Sequence, residues 1–247
     1  MTLETFTKNY MTEGRVIELA DALKRWGVPD DMLAEMTDDM FEALEPDAIA
    51  INLLFSFLDD GFERKIEAAI QAQEAERFVS RSSSVLPEYK EYERGIATWL
   101  NAALGPVISG YLKALQEELG STSLQVMQSS GETMAASTAA ESAVNLLLSG
   151  PAGGLTAIAF LAQQQGKTKF ISFDMGGTST DVALLDGKIR TSNESSIASY
   201  PIAVPMVDME TIGAGGGSVA FVDTGGMLQV GPRSAGADPG PACYDRG

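Results

Sequence analysis

Apolar residues recur along this chain with two different periods, and the switches between them predict alternating helices and strands. Val16, Leu19, Ala20, Leu23 and Trp26 recur at helical spacing until Gly27-Val28-Pro29 stops the pattern, and Asp31 to Leu44 continues as an acidic amphipathic segment. Residues 1–46 therefore read as mostly helical. The unbroken apolar run Ala48 to Phe57 reads as a central strand. Gly61 to Gln73 follows as a helix with Phe62, Ile66, Ala69 and Ile70 on one face, and Phe78 to Arg81 as the next strand. That strand–helix–strand order implies a parallel pair.

Ser82 to Pro87 is polar, closes on proline and reads as a domain boundary. Beyond it, Trp99, Leu100, Ala103, Val107, Tyr111 and Leu115 give a helix from about Tyr89 to Leu119 its apolar face, with a kink expected at Gly105-Pro106. Glu88, Glu91 and Glu93-Arg94 read as the solvated start of that helix. Leu124 to Met127 is a short strand, followed by a turn at Gln128–Gly131 and an alanine-rich helix to about Ser142. Ser149 to Gly154 is a glycine-rich turn leading into a helix from Leu155 to Gln165. Such a turn either binds an anion at the helix N-terminus or lets strand and helix pack closely.

The densest chemistry lies between Phe170 and Lys188. Phe170–Phe173 and Val182–Leu185 read as two strands of a hairpin, closed by Asp186-Gly187. The tip between them carries Asp174, Gly176, Gly177, Thr178, Ser179, Thr180 and Asp181. Glycine amides and hydroxyls suit phosphate oxygens, and a carboxylate at a strand end suits Mg²⁺. Downstream, Ile197 to Met206 reads as loop and edge strand because of Pro201 and Pro205. Gly213-Ala-Gly-Gly-Gly-Ser218 superficially matches a dinucleotide fingerprint, but the following Val219–Val222 reads as a strand, which removes that reading. A hairpin about Gly225-Gly226 comes next, and Gly231 to Gly247 reads as an ordered loop.

Composition narrows the chemistry. The 247 residues are 45% hydrophobic, enough for a sizeable core in one or two domains. A formal charge of −17 argues against nucleic acid or an anionic membrane as partner. The N-terminus lacks a signal peptide's basic start and apolar core, and the single Cys243, read as a small apolar filler, excludes an internal disulfide; both fit a cytoplasmic protein. Histidine is absent altogether, which excludes histidine triads and histidine-ligated metals and leaves proton transfer to carboxylates, lysine, tyrosine or substrate.

Asp174-Met-Gly-Gly-Thr-Ser-Thr-Asp181 resembles the second phosphate loop of the actin, Hsp70 and sugar-kinase superfamily. Taken in order with Leu148–Gly154, Gly213–Ser218 and Gly231–Tyr244, it resembles the hydantoinase/oxoprolinase A-subunit family of ATP-dependent enzymes. The resemblance is dense from about Ser129 onward. It implies an α/β fold of the actin-like ATPase (ribonuclease H-like) type, with mixed sheets flanked by helices. It also implies ATP and Mg²⁺ as cofactors, a B-type partner subunit and a cyclic amide substrate such as a hydantoin or 5-oxoproline. Asp174 and Asp181 would be catalytic, with Asp174 holding the metal. Gly176, Gly177, Thr178, Ser179, Thr180, Gly215, Gly216, Gly217 and Ser218 would bind the nucleotide. Glu88 to Arg94 is similar to a family segment. Two positions depart from the pattern: Phe55 and Glu210 stand where relatives often carry histidine.

The superfamily's first phosphate loop has no counterpart in Met1 to Glu45, and the chain breaks off within family-like sequence. The expectation is therefore an incomplete fold: residues 1–85 from the first lobe and 86–247 as part of the hydantoinase A domain, inactive in isolation. The alternatives are a non-catalytic remnant or interaction subunit, and the A-type subunit of an ATP-dependent ketone carboxylase.

Overall fold

The computed structural model describes residues 16–18, 47–197, 200–236, 238, 240, 241 and 245. The chain divides into two compact units. Residues 1–128, 132–147 and 193–205 form the first, and residues 129–131, 148–192 and 206–247 the second.

The first unit is built on a parallel sheet. Strands β1 (Val16–Glu18), β2 (Ala48–Ile51) and β3 (Phe78–Arg81) lie in that order, with β2 central and entirely buried. Helix α1 (Gly61–Gln73) makes the crossover between β2 and β3, as the strand–helix–strand spacing requires. Helix α2 (Glu91–Leu119) packs on the sheet, where Ala102 joins Ala48 and Ala50 in the core and Phe78 and Trp99 close over them. An antiparallel pair, β4 (Gln125–Met127) and β5 (Thr133–Ala135), precedes the short helix Ala136–Glu141.

Several expectations change here. Val16–Glu18 is strand instead of helix; the remainder of the segment expected to be helical lies outside the described residues. The apolar run Ala48–Phe57 stays in the sheet only to Ile51, because Leu53 to Leu58 turns away. On α1 the buried positions are Glu63, Ile66 and Ile70, while Phe62 is exposed. On α2 the buried face is Arg94, Ile96, Ala97, Thr98, Asn101, Ala102, Gly105 and Leu112; Val107 and Tyr111 face solvent, and the helix is unbroken through Pro106.

A single cause explains the changes around Arg94. Its guanidinium is fully buried, and it donates to Asn52 Oδ1 (3.1 Å), Leu53 O (2.8 Å), Leu54 O (2.9 Å) and Glu88 O (2.6 Å). From the other side, the equally buried Glu63 accepts from Leu53 N–H (3.0 Å), the Ser82 hydroxyl (2.6 Å) and Ser83 N–H (2.9 Å). The turn after β2 is thus wound around two buried charges whose hydrogen-bonding capacity is met by backbone, so burial does not leave them unsatisfied. Arg94 is accordingly a structural centre and not part of a solvated helix start.

The second unit holds helix α3 (Ser149–Gln164) and a three-stranded antiparallel sheet in the order β8–β7–β6, with β6 (Lys169–Met175), β7 (Thr180–Asp186) and β8 (Glu210–Ile212). The glycine-rich stretch Ser149–Gly154 is itself the start of α3 and not a turn before it. Ala152 and Leu155 of α3 pack with Ala183, Leu185 and Val207, with Phe170 and Met209 at the margin. The opposite face of the sheet carries Ile171, Phe173, Met175, Leu184 and Ile212, each more than half exposed. A second hairpin, β9 (Ser218–Val222) and β10 (Leu228–Ser234), turns at Gly225-Gly226 as the sequence predicts. Of the loop expected over Gly231 to Gly247, Gly231 to Ser234 is instead the end of β10, and most of the remainder, Cys243 included, lies outside the described residues. The α/β class with mixed sheets flanked by helices is as expected. Among the described residues no helix is long and apolar enough to cross a membrane.

Candidate phosphate-binding site

The β6–β7 register places Asp174 directly opposite Asp181 and Met175 opposite Thr180, leaving Gly176 to Ser179 as the tip. Gly176 N–H donates to Ser179 O (2.9 Å) and closes the turn. Gly177 and Thr178 are exposed. Among the described residues, no protein acceptor meets the amides of Gly177, Thr178 or Ser179. Adjacent free N–H groups on a tight glycine turn are an arrangement that can accept an anion.

The two carboxylates differ. Asp174 is exposed and meets no donor among the described residues. Asp181 is half-buried and accepts from the Thr211 hydroxyl through Oδ1 (2.6 Å), which fixes its orientation. Both line a cavity of about 310 Å³ whose other walls include Gly154, Leu155, Ile158, Val182 and Met209. Like charges directly opposite across strands repel, which favours a cation between or beside them.

Gly213–Ser218 lies against the tip. A Cβ on Gly215 would sit 2.6 Å from Gly176 O and 2.9 Å from Ser179 N, so only glycine allows this approach. The Thr180 side chain points away from the tip surface; it is buried and its hydroxyl donates to Ala214 O (2.6 Å). The structure thus brings Asp174, Asp181, Gly176 to Thr180 and Gly215 to Ser218 into one place. Sequence reasoning passed over Thr211, Met209 and Ser234. A β-branched pair, Thr211-Ile212, after Glu210 is the signal for the third strand that carries the first of them. Glu210 is exposed at the start of that strand, and Phe55 is exposed on the turn after β2.

A family model described as hydantoinase/oxoprolinase matches residues 94–247. Caprolactamase subunit alpha of Pseudomonas jessenii is 40% identical over 223 residues, spanning 88% of this chain and 32% of that protein. The solved structure of the ATP-dependent caprolactamase from the same organism superposes with a TM-score of 0.70 at 38% identity, covering 86% of this chain and 32% of that one. 5-oxoprolinase 1 of Arabidopsis thaliana is 36% identical over 204 residues, 81% of this chain and 16% of that protein. The nucleotide-free structure of acetone carboxylase gives a TM-score of 0.65 at 28% identity, over 84% of this chain and 30% of that one. The chain therefore spans about a third or less of the length of these relatives.

Proposed function

The chain belongs to the hydantoinase/oxoprolinase family, and from that premise we propose that its β6–β7 tip is a phosphate-binding loop for ATP in an enzyme that opens a cyclic amide. The observation that carries this reading is the run of amides at Gly177, Thr178 and Ser179 that meet no acceptor among the described residues, flanked by Asp174 and Asp181. Backbone N–H groups fixed in a turn stabilise charge on phosphate oxygens without reorganising, which suits a reaction whose demand is positioning and charge neutralisation. The absence of histidine fits that demand, because little proton shuttling is asked of this chain.

The donor set also suits Mg²⁺. Asp174 offers two free carboxylate oxygens and Asp181 one, hard ligands that this ion prefers, and among the described residues no group of three or more acidic, histidine or cysteine side chains competes as a protein-only metal cage. Phosphate oxygens and water would complete the coordination, and the ion would neutralise phosphate charge. Thr211 holds Asp181, and Thr178 and Ser179 add hydroxyl donors at the tip. By analogy with relatives named as subunits, the chain works beside a partner subunit.

A second reading, a subunit of an ATP-dependent ketone carboxylase, is favoured by the likeness to acetone carboxylase. Both readings use the same tip. Calorimetric titration with Mg²⁺–ATP tests it: binding is expected in the wild type and lost in Asp174→Ala. Binding of equal strength in both proteins would remove Asp174 as the metal ligand, and no binding by the folded wild type would remove the proposed site. Assay of the partner-loaded enzyme for lactam hydrolysis against carboxylation then separates the two chemistries.

A further inference from the structure

We infer that Thr180 and Ala214–Ser218 form a backing frame that aims the tip's amides at the ligand, and that this segment itself donates no amide to it. The inference rests on the reading of the tip as a phosphate loop. Its ground is an account of the backbone donors from Ala214 to Ser218. Ala214 N–H donates to Ile212 O (2.7 Å), Gly216 N–H to Gly176 O (2.9 Å), Gly217 N–H to Gly177 O (2.7 Å) and Ser218 N–H to Gly215 O (3.0 Å). Gly215 N–H donates to Ser218 Oγ (2.8 Å). Every amide from Ala214 to Ser218 is therefore spent inside the protein. From Ala214 to Ser218, a stretch that looks from its sequence like a second phosphate contact has no backbone donor to offer.

What the frame does follows from the planarity of the peptide bond. In a trans peptide the carbonyl and the next N–H point to opposite sides. Gly216 and Gly217 pin the carbonyls of Gly176 and Gly177 towards the frame. The N–H groups of Gly177 and Thr178 share those same two peptide planes, so they are turned to the opposite side, away from the frame. Two of the three free amides are thereby pre-aimed before any ligand arrives.

Thr180 locks the frame in place. It is 3% exposed, and its hydroxyl ties Ala214 O at 2.6 Å, just before the two pinning amides. On the far side, Ala235 N–H (2.8 Å) and the Ser234 hydroxyl (3.3 Å) both donate to Gly217 O. Thr180 is thus a positioning residue, acting on phosphate through Gly216 and Gly217 and then through Gly177 and Thr178.

Amide hydrogen exchange by NMR, with and without Mg²⁺–ATP, tests the frame. In the free chain the Gly216 and Gly217 amides should exchange slowly and those of Gly177 and Thr178 fast. Mg²⁺–ATP should slow Gly177 and Thr178 and leave Gly216 and Gly217 unchanged. Thr180→Val, which keeps shape and loses the hydroxyl, should speed Gly216 and Gly217 about tenfold and weaken Mg²⁺–ATP binding by a similar factor, while Thr180→Ser restores both. Fast exchange at Gly216 and Gly217 in the free chain, slowed only by nucleotide, would overturn the frame and make the segment a direct contact. If Mg²⁺–ATP binds nowhere, the phosphate reading falls alone; the exchange difference between wild type and Thr180→Val still decides the frame, and a melting curve shared with Thr180→Ser excludes simple unfolding.

Discussion

Replacing Arg94 with methionine should strip the first unit of most of its stability, and the size of the loss follows from what the guanidinium satisfies. Four acceptors lose the guanidinium: Asn52 Oδ1 and the carbonyls of Leu54 and Glu88, and the Leu53 carbonyl, which keeps its bonds from Ser56. Phe57 loses the cation 5.4 Å above its ring. Burial pulls the Arg94 pKa below its usual value, while the negative charges of Glu63 and Glu91 oppose that pull, so the cation is also the nearby compensation for buried Glu63. Removing one member of a buried charge network costs about 3–5 kcal/mol, because the partners stay buried and unmatched. With a urea slope of about 2 kcal/mol/M for a unit of this size, a loss of about 4 kcal/mol lowers the midpoint by about 2 M. Trp99, 5.6 Å from the Tyr200 ring in the same unit, provides a fluorescence probe. Arg94→Lys keeps the charge but cannot span the four acceptors, and should fall between the two. A midpoint for Arg94→Met within 0.3 M of wild type, on the order of the extrapolation error, would refute the account.

Two further predictions concern packing and pH. A Cβ at Gly105 would lie 2.1 Å from Cζ of the Phe78 ring, so Gly105→Ala should cost about 1–3 kcal/mol by chemical denaturation, and Phe78→Leu in the same chain should recover part of that loss. The Asp223 carboxyl is held below the ordinary aspartate range, chiefly by Met227 N–H, with Gln229 and Gly225 adding hydrogen bonds. A depressed carboxylate contributes stability above its unfolded pKa and loses it as pH falls through the folded one. The β9–β10 turn should therefore loosen only once the pH falls below the ordinary aspartate range, seen as faster exchange at Met227, and Asp223→Asn should show fast exchange there at neutral pH.

What could be read from the residues depended on how far local pattern and tertiary environment agreed. The bounds of α1 and β3 and the two-strand hairpin around Asp174 follow from apolar runs and glycine punctuation, and the structure keeps them. The faces of α1 and α2 do not follow, because a hydrophobic criterion assigns Glu63, Arg94, Thr98 and Asn101 to solvent. Their burial depends on partners up to 43 residues away in sequence, such as Val144 N–H, which donates to Asn101 Oδ1. No window of local pattern contains that information. At the site, the glycines of Gly213–Ser218 announce close packing but not which surface they pack on. The role of Ala214–Ser218 as backing emerges only when each amide is traced to its acceptor.

The sheet face bearing Ile171, Phe173, Met175, Leu184 and Ile212 has a practical consequence for anyone handling this polypeptide. Ile171, Phe173 and Met175 stand on β6 itself, which among the described residues is an edge strand of seven residues with no proline and no bulge to discourage pairing, and Leu184 and Ile212 continue the apolar face across the sheet. What holds copies apart is the formal charge of −17, whose reach is about 10 Å in 0.1 M salt and about 3 Å in 1 M salt. Colloidal behaviour is therefore governed by ionic strength: dilute buffer keeps the molecules repelling one another, and concentrated salt exposes the adhesive face to its neighbours.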